Sequence, residues 1–169
     1  MPVVLARIDD RLIHGQITCA WVNKYKANRI IIVSDKVASN PFMVKALPLA
    51  APLSPDIKIS ALYIKDAIKH LKSGKYGPDN IFLITENPQD MLTLVKSGVK
   101  FDWINVGQQG RSSGLKGQKR ITKTVAAGPE EAKIYREMAK YVNNKLIYQQ
   151  VPQEGSYDFL PILDKNFPE

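Results

Sequence analysis

A chain of 169 residues, 44% hydrophobic and 24% charged, is long enough for one well-buried core and too short for two ordinary domains, so a single domain over 1–169 is expected. That balance excludes a disordered or fibrous chain, and no apolar run approaches the roughly 20 residues of a membrane-spanning helix. The net charge of +8 predicts attraction to something acidic: nucleic acid, a phosphorylated molecule, an acidic protein face or an anionic membrane surface. The N-terminus lacks a charged region followed by a signal-peptide core, so a cytoplasmic protein is expected. The only cysteine, Cys19, cannot form an internal disulfide, and its neighbours Ala20, Trp21 and Val22 predict a buried small hydrophobe.

Residues 2–8, Pro-Val-Val-Leu-Ala-Arg-Ile, are short and almost continuously apolar, the pattern of a strand covered on both faces. Similar runs follow at 30–33, 57–62, 81–85 and 103–106, and a further strand is expected over Lys145–Val151. Helices are predicted at about 15–26, 40–51, 63–73, 88–98 and 129–143. Pro48 should kink or end the second. Asn87 and Pro88 open the fourth and Gly98 closes it, while Pro129, Glu130 and Glu131 occupy the first turn of the last. The tail with Phe159, Leu160, Ile162 and Leu163 should pack back on the body. Such alternation predicts an α/β fold: an open, mostly parallel sheet flanked by helices on both faces.

In open α/β sheets ligands bind beyond the carboxyl ends of the strands. Asp-Asp-Arg-Leu-Ile-His-Gly-Gln, residues 9–16, lies at such an end, between the first strand and the first helix. His14 then stands at a helix N-terminus, where unpaired N–H groups and a partial positive charge suit an anion such as phosphate. The same field disfavours imidazolium and leaves a neutral ring with a nucleophilic lone pair. Arg11 and Arg7 precede it, and a guanidinium grips two phosphate oxygens at once. Gly15 leaves room for a donor to approach, and the Gly15 and Gln16 backbone can meet the phosphate. Asp9 and Asp10 are assigned to orienting the arginines or the histidine ring. Purely local hydrogen bonding at a helix cap remains an equal alternative on residue types alone. His70, beside Lys69 and Lys72 on an exposed helix face, has no such setting.

Ala-Arg-Ile-Asp-Asp-Arg-Leu-Ile-His-Gly-Gln-Ile, residues 6–17, resembles the signature of enzyme IIB of the mannose-fructose-sorbose class of the bacterial sugar phosphotransferase system. Length and element order agree along the whole chain, including Ala-Ala-Pro at 50–52 and Asn-Val-Gly at 105–107. The resemblance implies that His14 accepts a phosphoryl group from a phosphohistidine of enzyme IIA, on Nδ1, and passes it to a sugar at the membrane components IIC and IID. It implies a role for Arg11 on the phosphate, with Arg7 and the loop amides as weaker transfers, an antiparallel edge strand, and association with the inner face of the membrane through IIC and IID. Such a relay positions groups and neutralises charge, and requires neither metal nor organic cofactor.

The chain departs from the family pattern after Gly107, where Gln108, Gln109, Gly110, Arg111, Ser112, Ser113 and Gly114 follow. This loop also leaves a strand at the active end of the sheet and is expected to touch the partner or the phosphate. Residues 111–123 carry Arg111, Lys116, Lys119, Arg120 and Lys123 with no acid between them, a candidate docking run or an ordinary solvated loop. A nucleic-acid-binding module is the rival that the charge suggests, although the run has no interleaved aromatic residue for stacking. A regulatory IIB-like protein without transfer is another, against which His14, Arg11 and Gly15 speak.

Overall fold

The protein is described by a computed structural model covering residues 3–110 and 117–169. In chain order its elements are β1 (Val3–Asp9), α1 (Gly15–Tyr25), β2 (Arg29–Val33), α2 (Asp35–Ala38), α3 (Pro41–Ala46), β3 (Lys58–Leu62), α4 (Ile64–Lys72), β4 (Ile81–Thr85) and α5 (Pro88–Lys96). There follow β5 (Ile104–Gln108), β6 (Lys119–Arg120), β7 (Ala126–Ala127), α6 (Pro129–Ala139), β8 (Leu146–Tyr148), β9 (Tyr157–Asp158) and α7 (Phe159–Asn166).

The main sheet runs β3-β2-β4-β1-β5-β8-β9. Every pairing in it is parallel except β8 with β9, so the expected antiparallel strand is present at one edge. From β1 the chain travels through α1 towards β2 on one side, whereas β4 connects through α5 to β5 on the other. These two helices pack on opposite faces. The carboxyl end of β1 therefore lies where the connections diverge, the usual place for a crevice in such sheets.

Alternation within the strands divides the core into two layers. Leu5, Ile30, Ile32, Phe82 and Ile84 face α1 together with Trp21 and Val22. Ala6, Ile8, Ile31, Val33, Ile81 and Leu83 face α4, α5 and α6 with Leu71, Met91, Leu94 and Met138. Strands covered on both sides read as unbroken apolar runs, and burying each large aliphatic or aromatic side chain is worth roughly 1.5–3 kcal/mol. In β1, residues 5, 7 and 9 share the α1 face, so Arg7 and Asp9 occupy positions that elsewhere in the sheet hold isoleucine or phenylalanine.

Several elements differ from the sequence expectation. The helix expected over 40–51 is capped by Asn40, whose Oδ1 accepts from the Phe42 and Met43 amides, but ends at Ala46. A 3-10 turn, Leu47–Leu49, replaces its second half because Pro48 has no N–H to continue the ladder. The short α2, with Ser34 Oγ accepting from the Val37 amide, has too little periodicity to be read from sequence. The strand expected over 145–151 is paired only at 146–148. The tail does pack back, as α7, through Phe159 and Leu163. Cys19 is half-buried rather than buried, with Sγ 3.6 Å from the Pro52 carbonyl. No helix among the described residues is long and apolar enough to cross a membrane.

Candidate active site

The loop from β1 to α1 is held from below by its own apolar residues. Leu12 and Ile13 are buried in the α1-side core, and the Leu12 amide donates to Asp9 O at 3.1 Å. Leu12 takes a left-handed φ of 61°, a conformation costing a non-glycine residue roughly 1–2 kcal/mol that this anchoring offsets. His14 follows in extended conformation as the residue capping α1. Its N–H donates to Thr18 Oγ1 at 2.8 Å, and its carbonyl accepts from both the Thr18 amide and hydroxyl. The histidine backbone is thus clamped one turn into the helix.

The ring of His14 is 22% exposed. Nδ1 lies 2.9 Å from the Leu12 carbonyl, which can only accept, so in this arrangement Nδ1 carries the proton and Nε2 the lone pair. Nε2 is enclosed, without a hydrogen-bond partner among the described residues, and 3.9 Å from Asp9 Oδ2. Burial lowers the His14 pKa below its ordinary value. Asp9 and the Leu12 carbonyl oppose that shift, and the charges of Arg11 and Arg7 reinforce it. The shift favours the neutral ring, and its leading cause is desolvation rather than the field of the helix end.

Asp9, fully buried, organises the cluster. Its Oδ2 accepts from Arg7 Nε at 3.2 Å and Nη2 at 2.9 Å, and from Arg11 Nη2 at 3.0 Å. Its Oδ1 accepts from the Arg11 amide at 3.0 Å and Arg11 Nε at 3.1 Å. Burial alone would raise the Asp9 pKa, but Arg7, Arg11 and His14 outweigh it and hold the carboxyl below its usual range. Asp9 thus holds both arginines and lies beside the ring. Asp10 extends the β1–β5 ladder through its amide, which donates to Gln108 O at 3.1 Å, and its charge contributes to raising the pKa of the buried Tyr135 phenol.

Arg7 requires a correction: it does not face the reacting side of His14. The side chain is 1% exposed because β1 alternation turns it under α1, and its other donors are all engaged. Nη1 bonds Asn105 Oδ1 and the Gln149 carbonyl, and Nη2 bonds the Gln150 carbonyl. Trp21 covers the guanidinium 5.1 Å from the ring centroid, and its Nε1 donates to the same Gln150 carbonyl. Beneath lies Gly107, where an added Cβ would stand 2.2 Å from Arg7 Cζ. Asn105 is the β5 residue paired in register with Arg7. The Asn105-Val106-Gly107 stretch therefore acts as a seat: Asn105 supplies the acceptor and Gly107 the room.

Gly15 requires another. Its N–H donates to the Ala50 carbonyl at 2.8 Å, so the turn after α3 has taken the amide expected to hold phosphate. Glycine is needed there for its φ of +45°, since a Cβ would meet nothing within 4 Å. Gln16 is exposed, and its backbone N–H has no partner among the described residues, so it stays available to an anion. Arg111 and Lys116 lie outside the described residues. Lys119 and Arg120 lie on β6, away from the His14 loop in their bonding. Lys119 Nζ donates to Asn166 O at 2.8 Å and sits over the Phe167 ring, while Arg120 Nη1 donates to Lys123 O at 3.3 Å.

Sequence reasoning overlooked Thr18 and Trp21, although 14, 18 and 21 recur at helical spacing on the buried side of α1. Asn105 and Gly107 carry no local mark of a role, because Arg7 lies 98 residues from Asn105 in the chain. Among the described residues, the ring nitrogens of His70 contact Tyr76 and Lys75. No group of three or more histidine, cysteine or acidic side chains able to hold a metal is found among the described residues.

A charged cluster under one neutral histidine at the carboxyl end of β1 coincides with a family match. Residues 3–168 match the sequence profile of the PTS system sorbose subfamily IIB component. The chain belongs to this family. It is 36% identical over 163 residues to the PTS system fructose-specific EIIB component of Bacillus subtilis, covering 96% of each chain. It is 38% identical over 107 residues to the PTS system mannose-specific EIIAB component of Escherichia coli, covering 63% of this chain and 32% of that one. The crystal structure of the IIBSor domain of the Klebsiella pneumoniae sorbose permease superposes with a TM-score of 0.89 at 32% identity over 100% of both chains. Three sugars appear in these names.

Proposed function

We propose that this IIB component accepts a phosphoryl group on His14 Nδ1 from a phosphohistidine of a IIA partner. It then donates the group to a sugar bound at the membrane components IIC and IID. The observation that carries this reading is the placement of the His14 ring, with Nε2 enclosed against Asp9 and Nδ1 turned to the loop. A phosphate on Nε2 would be forced against a buried carboxylate. Nδ1 is the acceptor that the family resemblance implies; the proton it carries towards the Leu12 carbonyl at rest moves to Nε2, and that hydrogen bond opens before transfer. A ring shift of about 1 Å would then bring Nε2–H to hydrogen-bonding distance of Asp9 Oδ2.

In the transfer itself the P–N bond to the donor imidazole breaks as the bond to Nδ1 forms. The donor, protonated on its other nitrogen, leaves as neutral imidazole, while His14 becomes a phosphorylated imidazolium that keeps its proton on Nε2. Asp9 stabilises that new positive charge. The exposed part of Arg11, positioned by two hydrogen bonds and an amide contact to Asp9, meets the phosphoryl oxygens, with the Gln16 amide beside it. Positioning and charge neutralisation are what a loose, in-line phosphoryl transfer asks of a protein. Arg7 serves from below by fixing Asp9. In the second step a sugar hydroxyl oxygen replaces Nδ1 on phosphorus, and its proton passes to the released imidazole or to water.

Incubation with phosphorylated IIA should label the chain in an acid-labile, base-stable manner. His14→Ala should remove the label and leave the circular dichroism spectrum unchanged. Label that survives in this variant would place the acceptor elsewhere.

A further inference from the structure

A groove of about 210 Å³ opens beside the reacting loop, lined by Arg11, Leu12 and Ile13 on one side and by Phe42, Met43 and Leu47 on the other. Phe42 is 81% exposed, and Leu49, one residue before the Ala50 carbonyl that holds Gly15, is 86% exposed. The other large exposed hydrophobics among the described residues are the tyrosines 63, 141 and 157, each with a hydroxyl to offer water. The two that offer none both lie on the segment bonded to the His14 loop. We propose that this groove is the seat of the phosphoryl donor: an apolar side chain of the IIA partner, projecting beside its phosphohistidine, docks between α3 and the Arg11–Ile13 loop. The inference rests on the phosphoacceptor reading of His14 and names the surface that serves it.

Distance ties the groove to the reaction. His14 Nδ1 is 2.9 Å from the carbonyl of Leu12, itself a groove residue. A donor histidine must bring phosphorus to about 3–3.5 Å from Nδ1. A specific protein contact covers roughly 800 Å² on each partner, so a protein docked over His14 covers the groove as well. Volume and chemistry argue against a small-molecule occupant. The space falls below the roughly 300–1,000 Å³ of such sites, and its walls offer a sugar few polar partners. The sugar acceptor is a small molecule that can bridge a gap between proteins, whereas a donor histidine moves with its own backbone and needs close apposition of the two surfaces. Arg11, the one charged wall, would face the donor's phosphoryl group as the apolar side chain seats.

The test uses the full chain carrying Phe42→Ser, at a residue that lines the groove, or Leu49→Ser, on the same segment outside it. Phe42 and Leu49 lie outside the buried core, so their replacement leaves the fold intact. Transfer from phosphorylated IIA should show a KM raised tenfold or more with the rate at saturation within twofold. Labelling by phosphoramidate, a small donor that needs no docking, should be unchanged, as should sugar-dependent discharge by vesicles containing IIC and IID. An unchanged KM overturns the proposal. So does slowed discharge with a normal donor step, which assigns the groove to the membrane complex, or an equal loss with phosphoramidate, which places the effect on His14 itself. A wild-type chain that takes label from phosphoramidate but not from phosphorylated IIA overturns the functional reading and the docking seat together.

Discussion

The two sides of the Asp9 carboxylate carry the same chemistry in opposite surroundings. On the sheet side Arg7 is sealed between Trp21 and Gly107, with its donors spent on Asp9, Asn105 and two carbonyls after β8. On the solvent side Arg11, 16% exposed, binds the same carboxylate and keeps its outer face at the surface. Two arginines four residues apart therefore differ in kind: one is structure that fixes an anion, the other is the surface that anion presents. A buried ion pair adds little net stability over apolar packing, so the value of the inner arginine lies in holding the outer one and the imidazole in register.

The largest effect should come from breaking the inner side. Arg7→Ala leaves Asp9 buried without its inner partner and should cost roughly 3–5 kcal/mol in urea unfolding. The double variant Arg7→Met, Asp9→Leu should recover much of that stability while labelling from phosphorylated IIA stays slow. Full recovery of both would show that the pair serves the fold and not the site. Next comes Gly107→Ala, which drives a methyl into the guanidinium and should cost about 1–3 kcal/mol. A neutral outcome would mean that Arg7 can leave its seat without consequence.

The outer side should respond in rate rather than stability. Arg11→Lys keeps the charge but loses the planar fork, so phosphorylation should slow on the order of tenfold, equivalent to about 1.4 kcal/mol of barrier. Stability should change by less than about 1 kcal/mol, and unchanged kinetics would make the fork irrelevant.

The pH dependence of the ring sharpens the same contrast. The folded His14 pKa lies below the unfolded value of about 6.5, so below that pH the unfolded chain binds a proton that the native state resists. The stability linked to the neutral ring is present above the unfolded pKa and is lost as pH falls through the folded one. Denaturation of the wild type measured against His14→Gln should show this loss, with a second one from Asp9 below about pH 4 in both proteins. A difference between the two that is flat with pH would place His14 in water. The smallest effect should be Lys119→Glu with Arg120→Glu, within about 0.5 kcal/mol in stability. Undiminished labelling by phosphorylated IIA in that variant would make the basic run an ordinary solvated face.

The strands were legible because β1, β2 and β4 are buried on both faces and spell unbroken apolar runs, and α5 because Asn87 and Gly98 mark its ends. Pro48 announced the break after α3. The position of His14 as the residue before α1 was legible from Gly15 and the apolar run that ends at Ile8. The seat of Arg7 was not, since nothing near residue 7 marks it as covered by Trp21 or paired with Asn105. Nor was the loss of the Gly15 amide to Ala50, a contact across 35 residues of chain.

Local spelling alone thus determined the alternation of strands and helices and the place of His14 between the first strand and the first helix, since periodicity and capping act within a few residues. Packing decided which arginine is buried, which carboxylate binds both, which ring nitrogen is enclosed and where an apolar groove opens. Those outcomes depend on desolvation and on partners brought together from β1, α1, β5 and the segment after β8, and such distances exist only once the sheet has closed around them.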